Sequence, residues 1–224
     1  MAGTDYLPDL RVPEYRQRAP VLLAALLLFI LVFPVIEQYH AADLLLVLML
    51  TCILVSAILN AGNHPGEVAV TLLLVIPAAL TTWLQFFIPS PGLFVLHIIT
   101  IILFLTCILS IILRRIMQKR VITSNEIFGA VSVYIMIGIV FAYCYQLINQ
   151  IVPGSIALPG TGSSLSPLLF LSFQTLCTVG FGDIAINTPL VRSVAILEMI
   201  AGVMYIAIFV GVLVNAHYRL RERG

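Results

Sequence analysis

The sequence has very few charged residues. Only 9% of its 224 residues are Asp, Glu, Lys or Arg, and 61% are apolar, whereas about a quarter of an ordinary soluble domain is charged. This composition excludes a water-soluble monomer. The 11 basic and 10 acidic residues nearly cancel, so the excess of positive charge typical of nucleic-acid binding is missing. The four cysteines stand singly in apolar segments, without the spacing of a metal site or a disulfide framework.

Uncharged stretches make up more than half of the chain. Six of them, about 16 to 27 residues each, are near the length at which an α-helix crosses a bilayer. We therefore predict an all-α integral membrane protein with six transmembrane helices. The predicted spans are residues 19–36, 44–59, 68–88, 93–113, 127–148 and 190–216.

The basic residues predict the orientation of these spans. Ten of the eleven lie before the first span, after the fourth or after the sixth, and cytoplasmic segments are enriched in Lys and Arg. We therefore expect a multi-pass protein of the cell (cytoplasmic) membrane with both termini in the cytoplasm. The chain divides into a cytoplasmic arm (1–18), a four-helix membrane domain (19–113), an interfacial basic linker (114–126), a second membrane domain (127–216) and a short cytoplasmic tail (217–224).

Thr123 and Glu126 have the spacing of a capping box and predict the start of the fifth helix.

The segment between the fifth and sixth spans does not fit a membrane helix. Ser166 and Pro167 predict a helix start, a hydroxyl cap followed by proline at the first helical position. About 11 helical residues follow, which rise only about 16 Å. The chain must then return as extended backbone, which membranes tolerate only around a polar cavity or inside protein.

Glycine alternates with larger residues where this half-helix ends. Gly180 and Gly182 reach backbone angles closed to other residues, so successive carbonyls can face one side. The stretch TLCTVGFGD, from Thr175 to Asp183, resembles the selectivity filter of prokaryotic six-transmembrane pore-loop potassium channels. The resemblance implies a homotetramer in which residues 127–216 are the pore domain, with a re-entrant pore helix and filter between helices 5 and 6.

The resemblance also implies roles for individual residues. The filter residues are Thr178, Val179, Gly180, Phe181 and Gly182, with K+ held by the first four. The residues expected to support the filter are Gln174, Thr175, Asp183 and Glu198, with Asp183 bracing the outer mouth against the pore helix. Phe181 replaces the commoner tyrosine, and the lost hydroxyl predicts a slightly softer filter. K+ is the permeant ion, and no cofactor is expected.

The sixth span resembles the inner helix of such channels through Arg192, Glu198 and Gly202. Gly202 is a candidate hinge, with close helix contact as an equal alternative. For Glu198 we expect a hydrogen bond to the pore helix at Gln174 or Thr175, with a protonation switch as the alternative. The candidates for an apolar cytoplasmic gate are Ile206, Val210 and Val214, which ordinary packing would explain equally well.

The fourth span lacks the ladder of basic residues that senses voltage. Between residues 93 and 113 its titratable side chains are His97 and Cys107, whereas a sensor moves several charges across the field. Arg114 and Arg115 follow the span and are interpreted as orientation signals. Steep voltage gating is therefore not expected.

The sequence favours passive, selective potassium conduction, and no acid/base pair or nucleophile triad points to an enzyme. One alternative is a pore with little selectivity among monovalent cations. Another is a non-conducting channel-like subunit or transporter-like protein. The expected partners are other copies of the chain and membrane lipids, with a separate regulatory subunit as a further candidate, but not nucleic acid. The short tail leaves no room for a ligand-binding domain if the chain is complete.

Overall fold

The computed structural model describes residues 19–36, 42–60, 65–118, 124–158 and 164–221. Seven α-helices lie in these ranges, which contain no β-strand beyond an isolated bridge between Ile156 and Ile186. The helices are α1 (Ala19–Ile36), α2 (Ala42–Asn60), α3 (Pro65–Phe87), α4 (Pro91–Gln118), α5 (Ser124–Ile151), α6 (Leu165–Leu176) and α7 (Pro189–Arg221). The predicted all-helical class is confirmed.

Four of the seven helices are long and apolar enough to cross a membrane. These segments are Gly66–Phe87, Pro91–Gln118, Ser124–Ile151 and Pro189–Val212. Helices α1 and α2 contain 18 and 19 residues, and the apolar parts found in them, Ala19–Val35 and Val47–Ser56, are shorter. These four helices are those found among the described residues, and six membrane spans remain a prediction.

The basic linker predicted at residues 114–126 overlaps the ends of two helices. Helix α4 continues through Arg114 and Arg115 to Gln118, and α5 begins at Ser124. The end of an apolar run reflects the edge of the membrane, whereas Arg, Met and Gln are good helix formers, so the helix continues beyond it. Lys119, Arg120 and Thr123 lie outside the described residues. The predicted capping box at the start of α5 therefore stays a prediction.

Helix α5 is the element around which the chain packs. Helices α4, α1, α6 and α7 all contact it. Helix α3 packs against both α4 and α2. The core contains fully buried Phe29 of α1, Phe104 of α4 and Met136 of α5. Of the helices before α5, α1 and α4 therefore pack directly on the α5 of their own chain.

Polar side chains connect α4 to α3. The hydroxyls of Thr81 and Thr100 lie 2.9 Å apart, and buried His97 lies 3.4 Å from the Thr82 hydroxyl through its Nδ1. At the other end of α4, Arg115 forms an ion pair with Glu67. The histidine and the arginine that the sequence singled out on α4 thus both face α3.

A glycine on α5 allows the short helix α6 to pack closely against it. A Cβ at Gly138 would lie 2.8 Å from two ring carbons of Phe173, closer than carbon atoms normally approach. The Gly138 carbonyl also accepts a hydrogen bond of 2.6 Å from the Ser172 hydroxyl. Helix α6 therefore lies directly against the backbone of α5.

We expect Gly138→Ala to destabilise the protein by about 1 to 3 kcal/mol, because the Phe173 ring must leave its place. Gly129→Ala on the same helix is the matched control, since its Cβ would lie at ordinary contact distances of 3.6 Å from Ile112 and 3.7 Å from Ile116. The measurement is the thermal unfolding temperature of each purified variant in detergent. Equal temperatures for the two variants would show that the contact with Phe173 contributes nothing.

Candidate ion-binding site

Helix α6 is too short to cross a bilayer. Its 12 residues rise about 18 Å, against a hydrocarbon core of about 30 Å. The helix starts at Leu165, with Ser164 as an N-cap that makes no side-chain cap bond. The predicted cap at Ser166 with Pro167 in the first position is therefore wrong, since Pro167 is the third helical residue. Proline fits there because first-turn amides have no acceptor within a helix.

The backbone after α6 alternates in the sign of φ. In the segment 178–182, called here the TVGFG loop, φ is +55° at Thr178, +58° at Gly180 and +77° at Gly182, while Val179 and Phe181 keep negative values. Such alternation turns successive peptide groups so that their carbonyls can share one side. The glycines adopt the angles expected of them, and Thr178 is the departure that the sequence did not reveal.

The amides of the loop point back to the end of α6. The bonds run from Thr178 N–H to the Thr175 carbonyl (2.9 Å), from Val179 N–H and Gly180 N–H to the Gln174 carbonyl (2.8 and 3.3 Å), and from Phe181 N–H to Gln174 Oε1 (2.9 Å). The carbonyls of these four residues accept no hydrogen bond from any other described residue. The loop residues themselves are exposed. A row of backbone oxygens is thus left available to a ligand.

Gln174 is the residue that organises this loop. It is 6% exposed, and it accepts three loop amides through its two oxygens. Its Nε2 donates to Asp183 Oδ1 over 3.4 Å, the contact with the pore helix expected of Asp183. The Thr175 hydroxyl donates instead to the Leu171 carbonyl of its own helix. Thr175 therefore supports the loop through its carbonyl.

Glu198 is fully buried between three helices. Its carboxyl oxygens lie 2.5 Å from the Tyr145 hydroxyl of α5 and 2.5 Å from the Ser172 hydroxyl of α6. The contact expected between Glu198 and the short helix α6 is present, but its partner is Ser172 rather than Gln174 or Thr175. Sequence reasoning missed Tyr145. The one sequence feature that indicated a role for Tyr145 was a tyrosine on a membrane helix, because the hydroxyl of a buried tyrosine usually forms a hydrogen bond.

Gly202 lies against the end of α6. A Cβ there would lie 2.2 Å from the Leu176 carbonyl oxygen, so the two backbones approach as only glycine allows. Helix α7 is continuous through this position. The close-contact alternative is thus present in the structure, and the hinge stays a prediction.

The predicted gate residues lie further along α7. Ile206 and Val210 are each 50% exposed. The Val214 side chain lies outside the described residues. Within the described part of the chain, Ile206 and Val210 have the exposure that either a constriction or packing against lipid would require.

A comparison with protein families finds one match, which covers the part of the chain that holds these features. A family model described as "Ion channel" matches residues 129–218, a range that holds nearly all of α5, all of α6, the TVGFG loop and most of α7. It covers less than half of the chain. No curated protein and no solved structure matches. The match and the long apolar helices support a pore-loop ion channel in a membrane, with α1 to α4 outside the matched range.

We expect Gly202→Ala to lower the thermal stability of the protein, because the new methyl group displaces the end of α6. Overpacking of this kind costs about 1 to 3 kcal/mol. Gly211→Ala on the same helix is the control, since no atom of the described chain lies within 4 Å of its Cβ. Thermal unfolding and size-exclusion chromatography measure both variants. A Gly202→Ala protein that is as stable as the wild type and loses only conduction would instead support the hinge.

Proposed function

We propose that the protein is a potassium channel that conducts K+ passively through a pore surrounded by four copies of the chain. The observation that carries the proposal is the TVGFG loop, whose amides bond to α6 and whose carbonyls accept no hydrogen bond from the described residues. Rings of backbone carbonyls replace the water around K+ in selective filters. The carbonyls of Thr178, Val179, Gly180 and Phe181, with the Thr178 hydroxyl, would form these rings.

The need for several copies follows from the chemistry of a dehydrated cation. One loop offers oxygens from one direction, whereas the ion needs ligands on all sides. The exposed surface of the single chain agrees with assembly, because it includes the loop and many apolar side chains of α7. Exposed examples on α7 are Ile196, Leu197, Ile200, Val203 and Met204. Other copies and lipid would cover them.

The orientation of α6 favours a cation. Helix α6 ends at Leu176, immediately before the loop, and the carbonyl end of a helix carries about half a negative charge. Four such ends around one axis would stabilise a positive ion below the filter. The proposal therefore takes a cation rather than an anion as the permeant ion.

The absence of a tyrosine hydroxyl at Phe181 is offset by an aromatic contact. The Phe181 ring stacks on that of Phe170 of α6, with centroids 6.0 Å apart and planes 4° from parallel. Such a pair contributes about 0.5 to 1.5 kcal/mol beyond its buried area. This contact argues for a filter wall held by apolar packing, and against the softening that the sequence suggests.

The proposed channel is not steeply voltage-gated. Each sensing charge contributes about 2.3 kcal/mol per 100 mV, and α4 carries its arginines only in its last turns, where Arg115 is paired with Glu67. We place the channel in the cell membrane with both termini in the cytoplasm. A constriction at Ile206, Val210 and Val214, a bend at Gly202 or a regulatory subunit would open and close it.

The reversal potential of the purified protein tests selectivity. With opposed K+ and Na+ gradients across a planar bilayer, we expect reversal near the K+ equilibrium potential and little dependence of open probability on voltage. Gly180→Ala is the non-conducting control, because a residue other than glycine at its φ of +58° is strained by about 1 to 2 kcal/mol. Reversal near zero would mean a non-selective cation pore. A silent wild type would mean either a closed channel or a non-conducting subunit, and a K+-binding titration would then distinguish the two.

Gln174→Ala tests the support of the loop. We expect K+ to raise the unfolding temperature of the wild type, because a ligand bound only to the folded state stabilises it. The variant removes the side-chain oxygen that accepts the Phe181 amide, so the loop is held less firmly and the K+-induced rise should shrink. Gln85→Ala on α3 is the matched control. An unchanged rise in Gln174→Ala would contradict the role given to this side chain.

A further inference from the structure

Glu198 belongs to a chain of three short oxygen contacts that crosses α5, α6 and α7. The Tyr145 hydroxyl lies 2.5 Å from Glu198 Oε2, Glu198 Oε1 lies 2.5 Å from the Ser172 hydroxyl, and that hydroxyl lies 2.6 Å from the Gly138 carbonyl. Each distance is in the range of an O–H···O hydrogen bond. Each contact therefore needs a proton between its two oxygens.

The hydroxyl groups supply too few protons for three bonds. Tyr145 and Ser172 have one hydroxyl proton each, and a backbone carbonyl has none. The Gly138 carbonyl can only accept, so the Ser172 proton belongs in that contact. The Ser172 oxygen must then accept from Glu198. We infer that Glu198 is a neutral, protonated acid that donates to Ser172 and accepts from Tyr145.

An ionised Glu198 fits the surroundings less well. A carboxylate could accept from both hydroxyls, but the Ser172 and Gly138 oxygens would then face each other at 2.6 Å without a proton. The carboxyl group is fully buried, and a buried charge is costly unless it is paired. Within the described residues Glu198 has no cationic partner. The titratable groups that interact with it are Tyr134, Cys144 and Tyr145, all on α5 and all neutral when protonated.

The proton gives Glu198 a positioning role. With it, one continuous set of bonds joins α7 to α6 and α6 to the Gly138 backbone of α5. Without it, Ser172 would have to turn from Gly138 to Glu198, and the bond from α6 to α5 would be lost. The location of the proton depends only on these contacts, whereas its importance for the filter rests on the proposed function.

Infrared difference spectroscopy of the purified, full-length protein in lipid tests the assignment at neutral pH. The spectrum of the wild type minus Glu198→Gln should contain the carbonyl band of a protonated carboxylic acid, and this band should shift in deuterated water. Glu67→Gln is the matched control, because Glu67 is paired with Arg115 and its loss should remove carboxylate bands only. Carboxylate bands alone in the Glu198→Gln difference would overturn the inference.

Ser172→Ala gives a second, independent result. If Glu198 donates to Ser172, the acid band should remain in this variant and move to the frequency of a more weakly bonded acid. Persistence of the band at its original frequency would overturn the inferred donor relation. Because the infrared signal does not require conduction, a failure here leaves the channel proposal intact, and a non-conducting wild type would leave the proton assignment intact.

The variants also separate positioning from simple packing. Glu198→Gln keeps one donor and one acceptor in the same shape, so we expect conduction and thermal stability close to those of the wild type. Glu198→Met keeps the approximate volume without either bond, and we expect it to lower both. Equal behaviour of the two variants would refute the positioning role.

Discussion

The structure depends on one constraint, that buried backbone donors in a membrane must find acceptors within the protein. Four successive amides of the TVGFG loop meet this constraint at the end of α6, three of them at Gln174. Because all four donors point to α6, the carbonyls face away from it and accept no hydrogen bond from the residues that the structure describes. The carbonyls that would line the proposed pore are thus available because the amides on the opposite side of the loop bond to α6. Gln174 can do this only if α6 is held at a fixed depth and angle.

Contacts with two neighbouring helices, α5 and α7, fix the position of α6. On α5, Gly138 admits the Phe173 ring. On α7, Gly202 admits the Leu176 carbonyl at the very end of α6. Between them, Ser172 bonds both the Gly138 carbonyl and Glu198. The two glycines allow close approach and the buried hydroxyl and carboxyl set the register, so shape and hydrogen bonding specify the same position.

The sequence predicted the elements better than the contacts between them. The apolar runs located all six long helices, and residues 19–36 matched α1 in full, because composition reports directly on burial in a membrane. Glycine alternation identified the loop, because φ is a local property. Tyr145 and Glu198 are 53 residues apart, and no local pattern pairs them. Gly202 was likewise ambiguous, since a hinge and a close contact require the same residue and differ only in what lies opposite.

The same contacts suggest how the first four helices act on the loop. Helices α1 and α4 pack on α5 of their own chain, and α5 carries both Gly138 and Tyr145, the two points at which it meets the α6 and α7 network. A shift of α5 of even a few tenths of an ångström would therefore change two contacts together. One is the packing of the Phe173 ring on Gly138, and the other is the hydrogen bond between Tyr145 and Glu198. Close-packed interiors transmit such strain instead of absorbing it. In the proposed channel, helix α5 would thus be the physical link between the first four helices and the loop.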